Sequence, residues 1–301
     1  MSERRKGERN VLGSAESPYS KGLMARALTA VGLREDEAYE LARRTESDLA
    51  QRGEVSVDLD RLQELASDYL GAERGPRAVR QLRRFRDLQE LDLPVILLVG
   101  GGTGTGKSTV ATEVAYRLGI TRVTSTDFVR QTMRAFFAKE FMPSIHYSSF
   151  EAGQALQSAE TEEVDPLLHG FLDQTRNVLV GVNAAIERSL AEGWSTVLEG
   201  VHLVPGMVAP ISDALVVQCV LAIKSEDAHA SHFWIRDIAS EGARALDKYL
   251  DHLSDIRYLQ DYIVERAERN DVPVIWNQDR EGATSAVMEL VLSAADRLQR
   301  V

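Results

Sequence analysis

Cysteine and long apolar runs are almost missing from this chain of 301 residues, which has one cysteine. A single cysteine excludes an intramolecular disulfide, and because Cys219 lies within the apolar stretch 214–223 we expect it to be a small core residue. The longest apolar stretches have the length of a strand, far short of a membrane span, and the first ten residues are charged and polar rather than a secretory leader. These absences predict a cytoplasmic protein with no membrane partner.

Positive charge is also scarce, since 35 Lys and Arg residues face 46 Asp and Glu residues and the net charge is −11 at pH 7. Such a surface disfavours nucleic acid as a partner and repels small anions as well. A phosphorylated substrate would therefore need a local group of arginines. We expect a small anionic substrate and no nucleic acid, and the sequence leaves homo-oligomer formation open.

The segment Pro94–Thr109, PVILLVGGGTGTGKST, is an apolar strand pattern that ends in a glycine cluster followed by a helix pattern. It matches the phosphate-binding P-loop, G-x-x-x-x-G-K-[ST], in the setting that this loop requires. We expect Lys107 to neutralise the outer phosphates as a catalytic residue and the Ser108 hydroxyl to bind Mg²⁺. The residues expected to bind ATP or GTP are Gly101, Gly102, Thr103, Gly104, Thr105, Gly106, Lys107, Ser108 and Thr109.

The chain changes character at Pro94. Only helical patterns precede it, at Lys21–Val31, Glu35–Gln51, Leu59–Leu70 and, after a Gly75-Pro76 breaker, Arg77–Leu91. Beyond it, long helical patterns alternate with strand patterns at Val95–Val99, Arg122–Ser125, Thr196–Leu198, Leu215–Ile223 and Val272–Trp276. This order predicts a small mainly helical domain, 1–90, and an α/β P-loop domain, 91–301, of nucleotide-kinase type, with a doubly wound parallel sheet of about five strands and a helical lid at about 225–268.

Polar residues follow the second predicted strand, where an acceptor would lie. Asp127 comes directly after it, and Arg130 and Arg134 follow four residues apart on one helical face. Asp127 could take the proton of an acceptor hydroxyl, and the two arginines could hold an anionic group. Alternatively, Asp127 only caps the helix and the arginines are ordinary surface residues.

The third predicted strand ends in Leu198-Glu199-Gly200-Val201-His202. An acidic residue at the end of a strand beside the P-loop is typical of a group that orients Mg²⁺ and its waters, so Glu199 is the candidate metal and substrate residue. The alternative is a carboxylate that caps or pairs at the end of the sheet. His202 is a candidate for substrate contact, although a buried, hydrogen-bonded histidine is the commoner case.

The helical insertion 225–268 contains a dense set of cations. An element of this kind fits a lid that closes over the phosphates, and Arg236 and Arg244 are the candidates for contact with the transferring phosphoryl group. His229 and His232 share a helical face with Arg236, and no third ligand at metal spacing accompanies them, so zinc is not expected. The alternative is a solvated helical pair whose acidic residues neutralise the same cations.

Four segments after the P-loop, in this order, resemble the 2-phosphoglycerate kinases: Ser125-Thr126-Asp127, PSIHYSSF at Pro143–Phe150, LEGVHLVPG at Leu198–Gly206 and VPVIWN at Val272–Asn277. The resemblance implies transfer of phosphate from ATP, with Mg²⁺, to the free hydroxyl of 2-phosphoglycerate, giving 2,3-bisphosphoglycerate. It adds His146, Ser148 and Ser149 as substrate residues and Asn277 as a nucleotide residue.

The segments Pro18–Leu28 and Ala38–Leu49 are similar to the ATP-cone domain that precedes the kinase in this family. A typical ATP-cone opens with a Lys-Arg-x-Gly strand that contacts phosphate. Here Arg4-Arg5-Lys6-Gly7 leads into a short irregular stretch, which argues against regulatory nucleotide binding. The residues leave two alternatives open for the function: a P-loop kinase of another small acceptor, such as an inositol phosphate, a sugar or a nucleoside monophosphate, and a protein that senses ATP without turnover.

Overall fold

The structure of the chain, a computed structural model, describes residues 11–156, 165–239 and 246–299, with the side chains of residues 235–239 outside the described set. The described residues form two compact units. One unit takes its residues from 1–92, 116–119 and 288–301, and the other comprises Leu93–Ala115 and Ile120–Val287. Within the described ranges, no helix has both the length and the apolar character needed to cross a membrane.

The regular elements of the chain up to Asp92 are, among the described residues, all helices: α1 (Lys21–Ala30), α2 (Glu35–Arg52), α3 (Leu59–Leu70) and α4 (Arg74–Glu90). The hydroxyl of Ser20 and the carboxylate of Asp58 cap α1 and α3 by accepting backbone N–H groups of the first turn. The prediction that Gly75-Pro76 precedes α4 was wrong, because Pro76 lies in its first turn. The missing N–H of a proline costs nothing there, since the first four amides have no partner within the helix.

The second unit is built on five parallel strands: β1 (Val95–Gly100), β2 (Val123–Ser125), β3 (Thr196–Glu199), β4 (Leu215–Ala222) and β5 (Val274–Trp276). They lie in the order β2-β3-β1-β4-β5, and the predicted α/β class with about five parallel strands is confirmed. β5 begins two residues later than predicted. The residue immediately before β5 is Pro273, which has no N–H and so cannot donate a hydrogen bond to the neighbouring strand.

The helices that follow the strands are α5 (Lys107–Leu118), α6 (Thr126–Phe136), α7 (Pro166–Ala191), α8 (Glu226–Ala239), α9 (Leu246–Asp251), α10 (Leu253–Arg269) and α11 (Arg280–Leu298). Two 3-10 helices, Pro143–His146 and Ser149–Leu156, lie between α6 and α7. α7 packs its apolar side, including Val178 and Val182, against Ile96 and Leu198 of the sheet. α10 buries Ile256, Leu259 and Ile263 in a second cluster with Val220. These contacts fix the strand ends that form the site.

The strand order determines where a ligand can bind. From β1 the chain crosses to β2 on one side of the sheet, and from β4 it continues to β5 on the other side. The direction of the connections therefore reverses between β1 and β4, which are neighbours. In open parallel sheets ligands bind at the carboxyl ends of the strands at such a reversal, and the glycine-rich segment after β1 lies there.

Candidate active site

The loop Gly101–Gly106 joins β1 to α5 in a conformation that depends on its glycines. Gly104 and Gly106 have φ angles of +84° and +86°. A Cβ atom would lie 2.5 Å from the Phe233 ring at the first position and 2.6 Å from Asn277 Nδ2 at the second. Glycine is thus required both by the backbone and by side chains packed against the loop. The loop ends at the N-terminus of α5, where free amides and the helix dipole favour an anion.

Lys107 occupies the first position of α5 and its amino group lies within the loop. Nζ donates to the carbonyl oxygen of Gly102 at 2.6 Å, and the Thr105 hydroxyl donates to the same oxygen at 3.0 Å. Burial lowers the pKa of Lys107, while the carboxylates of Glu199 and Asp127 act in the opposite direction. A bound polyphosphate would add negative charge beside the amino group, which favours its charged form. Lys107 and the loop amides are the donors that could hold phosphate here.

Three side chains from outside the loop hold it: the predicted nucleotide residue Asn277 and two histidines that were not predicted to contact it. His229 Nε2 lies 2.7 Å from Thr103 O and His232 Nδ1 lies 3.0 Å from Gly104 O. Asn277 Nδ2 donates to Thr105 O at 2.9 Å. The two histidines were predicted only as members of the cationic lid face. The pattern that could have found them is a pair of histidines three residues apart on the helix after the strand next to β1.

Ser108 and Glu199 come together as a candidate Mg²⁺ site. The Ser108 hydroxyl donates to Glu199 Oε1 at 2.9 Å, and Val99, the fifth residue of β1, is paired with Glu199 in the sheet. Among the described residues no group of three His, Cys, Asp or Glu could hold a metal. The hydroxyl and the carboxylate are two oxygen donors of the kind that Mg²⁺ uses, since this ion is usually held by one or two protein oxygens together with phosphates and water. A cleft of about 450 Å³ beside this pair is lined by Ser108, Thr112, Val123, Thr124, Ser125, Phe128 and Glu199.

Asp127 lies in the first turn of α6, and its side chain is 67% exposed. Arg130 Nε is 3.3 Å from Asp127 Oδ1, while its Nη1 donates to the carbonyls of Ile145 and Tyr147 at 2.9 and 2.8 Å. Arg130 is therefore held between Asp127 and the segment Pro143–Tyr147 (PSIHY). Arg134 is exposed and donates to Gln131 of its own helix at 3.1 Å.

His202 is completely buried at the centre of a hydrogen-bond network. The Gln174 amide nitrogen donates to the carbonyls of Ser144 and Tyr147, so its oxygen faces His202 Nε2 at 2.9 Å and must accept from it. His202 Nδ1 then accepts from the Thr126 hydroxyl at 2.7 Å. Burial lowers the pKa of His202 to about 4, which keeps the ring neutral, as this network requires. Both nitrogens are occupied, and the ring links the start of α6 to Gln174 of α7, which in turn holds the segment Pro143–Tyr147.

Three further predicted residues, His146, Ser148 and Ser149, lie in the segment between α6 and α7. His146 Nε2 is 2.9 Å from Phe137 O, and Ser149 Oγ is 3.5 Å from the Thr103 hydroxyl of the P-loop. Ser148 accepts from Lys248 at 3.3 Å. Thr109 is exposed on α5. Of the two predicted lid arginines, Arg236 lies on α8 with its side chain outside the described set, and Arg244 lies outside the described residues.

Comparison with known proteins identifies relatives along almost the whole chain. It is 38% identical to the 2-phosphoglycerate kinase of Thermococcus kodakarensis over 272 residues, 90% of this chain and 91% of the relative. It is 36% identical to the 2-phosphoglycerate kinase of Pyrococcus horikoshii, over 91% of this chain and 90% of the relative. It is 34% identical to that of Methanopyrus kandleri, over 92% of this chain and 85% of the relative. No family model matches the chain. Identity at this level over nine-tenths of the length confirms the resemblance found in the motifs, and the chain belongs to the 2-phosphoglycerate kinase family.

Proposed function

We propose that this protein is an ATP-dependent phosphotransferase that converts 2-phosphoglycerate to 2,3-bisphosphoglycerate. The observation that carries the proposal is the relationship to 2-phosphoglycerate kinases along about 90% of the chain. The P-loop between β1 and α5 supports ATP as the phosphate donor. The reaction forms a bond between the free hydroxyl oxygen of the acceptor and the γ-phosphorus, breaks the bond from that phosphorus to ADP, and releases the hydroxyl proton.

The nucleotide part of the proposal rests on residues 101–109. Their amides and the Lys107 amino group bind the phosphates, and Ser108 and Glu199 hold Mg²⁺. The metal, when bound, neutralises charge on the phosphate oxygens. Burial of Lys107 supports its role, because a desolvated cation interacts more strongly with phosphate than one in water. Asn277 acts on the nucleotide through the carbonyl of Thr105.

The acceptor part of the proposal rests on α6 and the segment after it. Asp127 takes the proton of the acceptor hydroxyl, since its carboxylate is exposed at the carboxyl end of β2, two strands from the P-loop strand. Arg130 keeps Asp127 in position, and Arg134 has an exposed guanidinium that could bind the phosphate or carboxylate of the acceptor. His146, Ser148 and Ser149 add further contacts to the acceptor, and His202 acts through Thr126 and Gln174.

The lid part of the proposal is an electrostatic argument. A triphosphate and an acidic acceptor must meet inside a protein with a net charge of −11, which favours the participation of cations beyond Lys107 and one Mg²⁺. We infer that Arg236 or Arg244, from the segment 225–268, supplies the additional positive charge when the lid closes. The part of the chain before Pro94 is proposed to be a separable helical domain of the ATP-cone type, without a regulatory nucleotide.

An acceptor screen tests the function. The purified protein, ATP and Mg²⁺ are incubated with 2-phosphoglycerate, 3-phosphoglycerate, glycerate, an inositol phosphate, a sugar or a nucleoside monophosphate, and ADP formation is measured. We expect turnover with 2-phosphoglycerate and a bisphosphorylated product identified by mass spectrometry. A higher kcat/KM with another acceptor would overturn the substrate assignment. Tight binding of one ATP with no ADP release from any acceptor would favour an ATP sensor instead.

A further inference from the structure

Three successive carbonyl groups of the P-loop each accept a hydrogen bond from a side chain that does not belong to the loop. The donors are His229 to Thr103, His232 to Gly104 and Asn277 to Thr105, at 2.7, 3.0 and 2.9 Å. Two of them come from the helix after β4 and the third from the end of β5. Segments that follow β4 and β5 thus hold the loop that follows β1.

The direction of these carbonyls determines where the next amides point. In a planar trans peptide the C=O of one residue and the N–H of the next point in opposite directions. A carbonyl of Thr103 held toward His229 therefore turns the amide of Gly104 the other way. By the same relation, His232 orients the amide of Thr105 and Asn277 orients that of Gly106. These amides belong to the loop that is proposed to bind the phosphates.

A carbonyl oxygen can only accept, so the two histidines must use different ring nitrogens as donors. His229 donates from Nε2 and His232 donates from Nδ1. His229 is completely buried and stacks on Phe233, with ring centroids 5.4 Å apart and 15° between the planes. Its Nδ1 is buried and, among the described residues, has no hydrogen-bond partner. The ring therefore interacts with polar groups through a single bond, the one to the P-loop.

We propose that His229 and His232 are positioning residues for phosphoryl transfer: each donates one ring N–H to a P-loop carbonyl and thereby aims the following amide at the phosphates of the nucleotide. The inference rests on the proposed binding of ATP at this loop. It assigns the two histidines a role distinct from that of the lid cations, because each acts by donating a ring N–H to a carbonyl of the loop and makes no contact with the phosphoryl group itself.

Amide side chains test this role, because Gln places its NH₂ where His has Nε2 and Asn places its NH₂ where His has Nδ1. The variants are His229→Gln, His229→Asn, His232→Asn and His232→Gln. In the first member of each pair the amide NH₂ replaces the donating ring nitrogen at the same position. In the second member the NH₂ lies at a different distance from the backbone and cannot replace that nitrogen. His169→Gln, on the exposed start of α7, is the matched control.

ATP affinity is measured by isothermal titration calorimetry without acceptor. The kcat and the KM for ATP are measured by steady-state kinetics with 2-phosphoglycerate as the acceptor. We expect His229→Gln, His232→Asn and the control to stay within about threefold of the parent. His229→Asn and His232→Gln should lose on the order of 10- to 100-fold in kcat/KM for ATP, because a loop carbonyl loses its donor and the amides lose their alignment. The same two variants should bind ATP more weakly.

Equal losses in both members of each pair, or parent-like ATP binding in all four variants, would overturn the proposal. Thermal unfolding identifies a variant that has lost its fold. If the buried His229 does not tolerate either amide, the His232 pair decides alone, since that side chain is only partly buried. Should the parent bind ATP without acting on 2-phosphoglycerate, the proposed function fails, whereas the calorimetry still tests the two histidines.

Discussion

Replacement of His202 by Gln should make the stability of the second unit less sensitive to acid. The pKa of this histidine is about 4 in the folded protein, chiefly because of burial, whereas an unfolded chain has a histidine pKa of about 6.5. Below about pH 6.5 the unfolded state takes up a proton that the folded state refuses. The contribution of His202 to the unfolding free energy is therefore fully present at neutral pH, decreases as the pH falls from about 6.5 to about 4, and changes no further below that value.

The magnitude follows from the two pKa values. Between pH 7 and pH 5 the parent should lose about 2 kcal/mol of unfolding free energy through His202 alone, and about 3 kcal/mol over the whole window. Neighbouring charges modify the shift, since Asp127 raises the pKa and Arg130 and Lys107 lower it. The Gln variant has no titrating group at this position. It should be less stable than the parent at pH 7, because the hydrogen bond from the Thr126 hydroxyl is lost. Its unfolding free energy should fall by about 2 kcal/mol less than that of the parent between pH 7 and pH 5.

Urea unfolding followed by tryptophan fluorescence suits this test, because Trp194, Trp234 and Trp276 all lie in the second unit. The measured quantity is the change in unfolding free energy from pH 7 to pH 5 in the parent minus the same change in the variant, which cancels the other titrating groups. An NMR titration should also show one histidine with a midpoint near pH 4. Parallel pH dependences in parent and variant would refute the reasoning from burial.

Four further outcomes are expected. Lys107→Ala should abolish turnover and leave the far-ultraviolet circular dichroism unchanged; loss of the fold together with activity would make the lysine structural. Asp127→Asn should lower kcat by roughly 10²–10⁴ with little change in ATP affinity, and a kcat near that of the parent would leave Asp127 as no more than a first-turn carboxylate of α6, a helix that Ser125 caps. Arg236→Ala or Arg244→Ala should lower kcat by on the order of 10³ for the residue that reaches the phosphoryl group, with poor rescue by Lys; a few-fold effect in both would contradict the lid. A chain that starts near Leu88 should still bind ATP, and a soluble, folded truncation that does not bind it would show that the proposed boundary is wrong.

The secondary structure and the position of the P-loop could be predicted from the sequence because both are local properties. Apolar periodicity identified the five strands to within two residues, and the spacing of Gly101–Ser108 identified the loop. The error at Gly75-Pro76 arose because a proline that ends one helix and a proline that opens the next have the same appearance in a sequence. The carboxylate at the end of β3 was also found, since the P-loop strand and its neighbour end at the same edge of the sheet.

Only the tertiary structure decided which side chains meet. His229 and Thr103 are 126 residues apart in the chain, and Asn277 and Thr105 are 172 apart, yet each pair shares a hydrogen bond. Helical periodicity shows that His229 and His232 share a face, but it does not show what that face contacts. His202 likewise depends on Gln174, whose amide orientation is set by carbonyls of a third segment. Local sequence determines the elements and their loops, whereas the partners of buried polar groups depend on the packing of the whole sheet.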